Sequence, residues 1–126
     1  MKKYTGIKKD TPEGIIKKGI RRFLKFEGIF YWNVFSGPMA EPGIPDIIAI
    51  VPVAGKFGKV GRFVGIEVKA PGKDLSKPQR EKKELIEAAH GIWITARSTE
   101  DVIQALGLAG KYHLDLPGGQ KWKGEV

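Results

Sequence analysis

Residues 43–69 read GIPDIIAIVPVAGKFGKVGRFVGIEVK. Two apolar runs separated by a Gly- and Lys-rich stretch, 55–61, predict a pair of strands joined by a turn. The first run, 46–53, follows Gly43-Ile44-Pro45, so Pro45 closes a loop and delivers the Asp46 carboxylate where the strand begins. The second run ends in Glu67-Val68-Lys69. Strand side chains alternate, which puts Glu67 and Lys69 on one face and Ile66 and Val68 on the other. Charge inside an apolar strand is costly unless it is paired or bound to a metal. A structural ion pair or a wet outer face accounts for Glu67 and Lys69 as well as a site does. Asp46 shifts the balance, because hairpin pairing brings it to the end of the ladder that holds Glu67 and Lys69.

Two carboxylates and one ammonium at one point suit phosphodiester hydrolysis. That reaction needs an attacking hydroxide, neutralisation of a pentacovalent phosphate and a stabilised leaving oxyanion. Mg²⁺ on one or two carboxylates keeps several waters and accepts phosphate oxygens, and Mn²⁺ fits the same oxygen donors. A neighbouring lysine orients the water, helps to deprotonate it, or holds the phosphate. The order Pro-Asp, insert, Glu-x-Lys is the signature of the PD-(D/E)xK nuclease superfamily, a pattern short enough to arise by chance.

Composition bounds the rest. At 126 residues the chain suits one domain, 1–126, with a core of about 12–106 and a tail at 110–126. Its net charge of +8 favours a polyanionic partner. There is no cysteine, which excludes disulfides and thiolate metal sites and agrees with a reducing compartment. No signal-type segment or run of 18 apolar residues occurs, so a soluble, cytoplasmic protein of a bacterial or phage-infected cell is expected.

Upstream, the first 28 residues hold nine basic residues against three acidic ones. Thr11-Pro12-Glu13 starts a helix, with Thr11 as cap and Pro12 in the first turn. Ile16, Ile20, Phe23 and Leu24 form its inward stripe, while Lys17, Lys18, Arg21, Arg22 and Lys25 mostly take the other faces. Those cations read equally as a solvated surface or a phosphate-facing stripe. Glu13 aligns with the inward stripe; it is either a dipole-favoured first-turn residue or a third carboxylate of the site. Residues 29–35 read as a strand, and 36–44 as a loop leading into Asp46. Lys56 and Lys59 occupy the hairpin tip, as solvated lysines or phosphate contacts.

Downstream, Ser76-Lys77-Pro78-Gln79 opens a helix running to about residue 90, with Gly91 as its stop. Gln79, Lys82 or Lys83, and Ile86 share its inward stripe, so Gln79 sits in the first turn near Glu67 and Lys69. It either reaches the site or caps the backbone. Residues 92–96 form a buried strand, and Ser98 or Thr99 caps a last helix to about Leu108. Two distant histidines, His90 and His113, make a histidine-based centre improbable. The tail is either a loose end or a strand pairing with another subunit.

GIPD, EVK, APGKDLSKPQ and the helix-Gly-strand-Ser ending together resemble the VRR-NUC family, a branch of the PD-(D/E)xK nucleases. The resemblance covers about residues 12–106 and includes the leading Glu helix and the Gln after the second strand. It implies an α/β fold with a restriction-endonuclease-like core, αβββαβ, whose mixed central sheet is flanked by helices. It implies a Mg²⁺-dependent DNA endonuclease similar to Holliday-junction resolvases: a homodimer selecting four-way or otherwise branched DNA by shape. Asp46, Glu67 and the main-chain carbonyl of Val68 are then the metal ligands, with Glu13 joining directly or through water. Lys69 positions or activates the water, and Gln79 supports the nucleophile or phosphate. Lys17, Lys18, Arg21, Arg22, Lys56, Lys59, Lys73 and Lys77 are the candidate nucleic-acid contacts. Gly14, a weak helix former, follows Glu13 in the first helix turn, a departure from the family pattern. The competing readings are a non-catalytic nucleic-acid-binding module and an end-processing exonuclease or restriction-type enzyme.

Overall fold

A computed structural model describes residues 10–107 and the backbone of the pairs 114–115 and 121–122. The expected lysines at 2, 3, 8 and 9, and His113, lie outside the described residues.

The first helix, α1 (Pro12–Phe26), starts as expected. Thr11 is the cap, its hydroxyl accepting from the Gly14 N–H, and Pro12 opens the first turn. Strands β1 (Phe30–Asn33), β2 (Ile47–Gly55) and β3 (Gly58–Val68) follow, then α2 (Lys77–Ala88), β4 (Ile92–Ala96) and α3 (Thr99–Leu106). The sheet order is β1-β2-β3-β4. The first two pairings are antiparallel and β3–β4 is parallel, which makes the sheet mixed as expected. The short strands β5 (Leu114–Asp115) and β6 (Lys121–Trp122) pair with each other, so these tail pieces find their partner within the chain.

The central hairpin is tighter than its sequence suggests. Pairing runs through Val53↔Val60 and Ala54↔Lys59 to Gly55↔Gly58, leaving only Lys56 and Phe57 as the loop. Gly58 takes φ 136°, a conformation open to glycine, and this lets the ladder continue to the tip.

One face of the sheet carries the core. Ile47, Ala49, Val51 and Val53 of β2 and Val64, Ile66 and Val68 of β3 alternate inward, and Ile20, Leu24, Val102 and Leu106 close over them from α1 and α3. Each such side chain contributes about 1.5–3 kcal/mol of burial. The opposite face carries α2, which buries none of its residues. Of its expected inward stripe, Gln79 and Ile86 are half-buried, Lys82 turns to the 36–44 loop, and Lys83 pairs with Glu87 on the helix itself. The helix ends at Ala88, two residues short of the expected 90, and His90 takes the left-handed φ of 69°. Gly91 is required for space instead, since a Cβ there would lie 2.8 Å from Ile86 Cγ2.

Candidate active site

Asp46, Glu67, Lys69 and the starts of α1 and α2 meet at the sheet end where β2 begins and β3 and β4 finish. Two glycine and proline positions explain how Asp46 arrives there. Pro45 is fully buried, and its ring fills the space a side chain at Gly65 would take: a Cβ at Gly65 would lie 2.6 Å from Pro45 Cγ. Glycine in mid-strand is ordinarily unfavourable. Here it seats the proline and sets the residue after it.

The antiparallel register ends at Ile47↔Ile66, so Asp46 comes beside Glu67. Asp46 Oδ2 accepts from the Val68 N–H at 2.8 Å, tying the mouth of β2 to the end of β3. Its Oδ1 lies 3.4 Å from Lys17 Nζ. Glu67 is 5% exposed, the one buried charged residue among those described. Its Oε2 accepts from Gln79 Nε2 at 2.9 Å and lies 4.0 Å from Lys69 Nζ.

The Glu67 carboxyl is pushed up to about 8 from an ordinary 4.5, first by burial, then by the charge of Asp46 and a hydrogen bond with it. Lys69 and Lys17 pull the other way and do not cancel the rise. Two carboxylates are thus held together with less positive charge than they need. Such a pair either keeps a proton or takes a cation.

Of the two roles the sequence leaves open for Gln79, the structure shows the backbone cap, and it adds a bond to Glu67. Ser76 and Gln79 form a reciprocal capping box: Gln79 Oε1 accepts from the Ser76 N–H at 2.8 Å, and Ser76 Oγ accepts from the Gln79 N–H at 3.3 Å. With its carbonyl oxygen spent on the backbone, the amide nitrogen is aimed at Glu67. The cap orients the site.

Glu13 also reaches this end of the sheet, where its Oε2 accepts from the Ala70 N–H at 3.2 Å. Among the described residues no three His, Cys, Asp or Glu side chains form a group able to hold a metal ion. Lys17, expected on the basic surface, turns to Asp46 instead. The signal for it was its place four residues after Glu13, on the same helix face. Nothing in the sequence singled out Gly65.

The remaining expected contacts are scattered. Lys18 is exposed and pairs with Asp10 at 2.7 Å. Arg22, Lys73 and Lys77 are exposed and Arg21 is half-buried. Lys56 and Lys59 sit at the hairpin tip, about 30 Å along β2 from Asp46 by strand rise.

No protein-family model and no curated protein matches this sequence. Solved structures do. One, described as a VRR_NUC domain, superposes with a TM-score of 0.63 at 18% identity, covering 79% of this chain and 99% of that one. The chain has the VRR_NUC fold. A second, described as a VRR_NUC domain protein, gives a TM-score of 0.59 at 16% identity over 83% of this chain and 93% of that one. The mixed four-stranded sheet with its flanking helices is the architecture expected from the resemblance. Within this VRR_NUC fold no described helix is long and apolar enough to cross a membrane.

Proposed function

We propose that this chain is a divalent-metal-dependent DNA endonuclease that selects branched DNA, such as a four-way junction, by shape. The observation that carries the reading is the convergence of Asp46, Glu67, Lys69 and Gln79 on one point, with the Glu67 carboxyl pushed up to about 8 by burial and by the charge of Asp46.

The donor set fits a hard cation, since Mg²⁺ asks for one or two carboxylates and keeps its own waters. Asp46 and Glu67 would hold it with the Val68 carbonyl, and Glu13 would join through water. The bound ion supplies charge neutralisation at the phosphoryl group and a water of lowered pKa. Mn²⁺ satisfies the same donors.

The chain's own residues do the rest. Gln79 fixes the rotamer of Glu67, and the Val68 N–H fixes that of Asp46. Lys69, 16% exposed at its side chain, holds its Nζ 4.0 Å from Glu67 Oε2, where it would orient a water or a phosphate oxygen. Lys17 offsets the charge of Asp46.

Phosphate contacts carry no sequence information, so a basic surface around such a centre reads backbone path rather than bases. A homodimer would place two centres for paired cuts. The exposed aromatic pair Phe30 and Trp32, with ring centroids 5.7 Å apart on the outer face of β1, supports self-association through that side of the sheet.

The test is cleavage of end-labelled four-way junction, flap and plain duplex by wild type, Asp46→Ala and Lys69→Ala, with Mg²⁺, Mn²⁺ or EDTA. Metal-dependent paired cuts in the junction, reduced at least about 10³-fold in both variants while binding survives, are expected. Equal cutting of all three substrates would remove the shape selectivity. Binding with no cutting in either metal would leave a non-catalytic nucleic-acid-binding module.

A further inference from the structure

A second cluster of cations lies beside the candidate centre, around a cleft of about 470 Å³ between α1 and the start of α3. Lys18 and Arg22 line it from α1, four residues apart and so on one face of the helix. Arg97, Ser98 and Thr99 line it from the β4–α3 connection, and Asp10 is its one acidic residue. Three cations and one carboxylate line the cleft; Asp10 is committed to Lys18 at 2.7 Å, and Arg97 lies 4.0 Å from the exposed Asp74. Arg22 is exposed and enters none of the ion pairs among the described residues.

The far wall is preset. The Arg97 N–H donates to Asp101 Oδ2 at 2.8 Å, its Nη2 donates to the Lys73 carbonyl, and the guanidinium lies 4.0 Å from Asp74 Oδ1. The Ser98 hydroxyl accepts from the Asp101 N–H, which leaves its proton to donate.

The cleft adjoins the acidic centre. The Lys69 N–H donates to the Ala96 carbonyl at 3.0 Å, so Arg97 begins about one strand spacing, ~4.8 Å, from the Lys69 backbone. On α1, Glu13 and Lys17 turn toward Ala70 and Asp46, and Lys18 follows Lys17 by one helical step of about 100°. A strand whose scissile phosphate sits at Asp46 and Glu67 can therefore pass over the edge of α1 into the cleft.

We propose that this cleft binds a backbone phosphate of the substrate DNA flanking the scissile one, with Lys18, Arg22 and Arg97 as its cations. The proposal rests on the nuclease reading, since it is the continuity with that centre that makes the ligand a phosphodiester of the same strand. Asp10 holds Lys18 back, so the site is partly self-neutralised until DNA arrives.

The experiment is equilibrium binding of a four-way junction and a plain duplex across a range of salt, in EDTA and in Ca²⁺. It uses wild type, Arg22→Gln, Lys18→Gln, Asp10→Asn and, as a remote surface control, Lys83→Gln. Arg22→Gln and Lys18→Gln are each expected to weaken binding to both substrates and to lower the slope of log K against log salt by about 1. Asp10→Asn tightens binding, a gain that damage to the fold does not produce, and Lys83→Gln changes nothing. Replacing the flanking phosphates one at a time by neutral methylphosphonates identifies the partner: at one position the loss in wild type disappears in Arg22→Gln. Wild-type binding with unchanged affinity and slope in both Arg22→Gln and Lys18→Gln would overturn the cleft and leave the nuclease reading standing. Weaker binding by Asp10→Asn would also overturn it. A wild type that binds neither DNA in either condition removes the cleft and the nuclease reading together.

Discussion

Helices α1 and α2 both bring side chains to the acidic centre, but they are attached in opposite ways. Helix α1 buries Ile20 and Leu24 completely and supplies Glu13 and Lys17 from the turns before them. Helix α2 buries nothing, leaves Leu85 65% exposed, and supplies Gln79. Its side chains bind the rest of the molecule through Gln79 to Glu67, Lys82 to the Pro42 carbonyl at 3.1 Å and Lys82 to Glu41 at 2.9 Å, beside the half-buried Ile86. Gly43, at φ 85°, lets the 36–44 loop close on α2, since a Cβ there would collide with the Pro78 carbonyl. For α1, attachment and chemistry are separate. For α2 they use the same bonds.

That contrast can be broken by measurement. The largest effect is expected at Leu24→Ala, where a fully buried side chain leaves a cavity costing about 2–5 kcal/mol in denaturant unfolding. A loss under about 0.5 kcal/mol would mean that α1 is no better anchored than α2.

The next effect belongs to Glu67. In the metal-free folded chain its carboxyl ionises near pH 8, against an ordinary 4.5 when unfolded. The folded state therefore binds the extra proton between these values. Its contribution is fully present below about 4.5 and is lost as pH rises through about 8. Asp46 just before β2, Lys69 just after β3, Lys17 from α1 and Gln79 from α2 all face this group. Glu67→Gln should flatten the decline, making the metal-free variant more stable than wild type at pH 8 by on the order of a few kcal/mol. Unfolding curves from pH 5 to 9 for both proteins check the sign. For wild type, Mg²⁺ affinity should fall about tenfold per pH unit below about 8, where the proton competes for the same carboxylate.

A smaller effect separates the helices directly. Gln79→Ala removes one arm of the capping box and the donor to Glu67, at a cost of about 1–2 kcal/mol. Hydrogen exchange should then quicken in α2 while α1 stays protected. Equal loss in both helices would show that they unfold as one unit. The smallest change is Leu85→Ala, within about 0.5 kcal/mol, because the side chain is already mostly in water.

Much of the centre was legible in advance because its signals are local or periodic. Alternation along β3 put Glu67 with Lys69, and Pro45 put Asp46 at a strand's mouth. Thr11, Ser76 and Ser98 mark helix starts through bonds spanning three residues, and each is the observed cap. The basic surface was less legible. Charge along a helix shows which residues are basic but not which neighbour each one meets, so Lys17 reads as one of the solvated or phosphate-facing cations and no motif marks Arg97.

By itself, then, the sequence determined the order of elements, their caps, the apolar face of the sheet and the sharing of one end by Asp46, Glu67 and Lys69. These follow from bonds and periods of two to four residues, which any segment carries with it. Only the tertiary structure decided that Pro45 seats on Gly65, that Gln79 spends its oxygen on Ser76 and aims its nitrogen at Glu67, and that Lys17 faces Asp46. Those contacts join residues far apart in the chain. Their geometry is set by how helices dock on the sheet, and docking is fixed by the whole core at once.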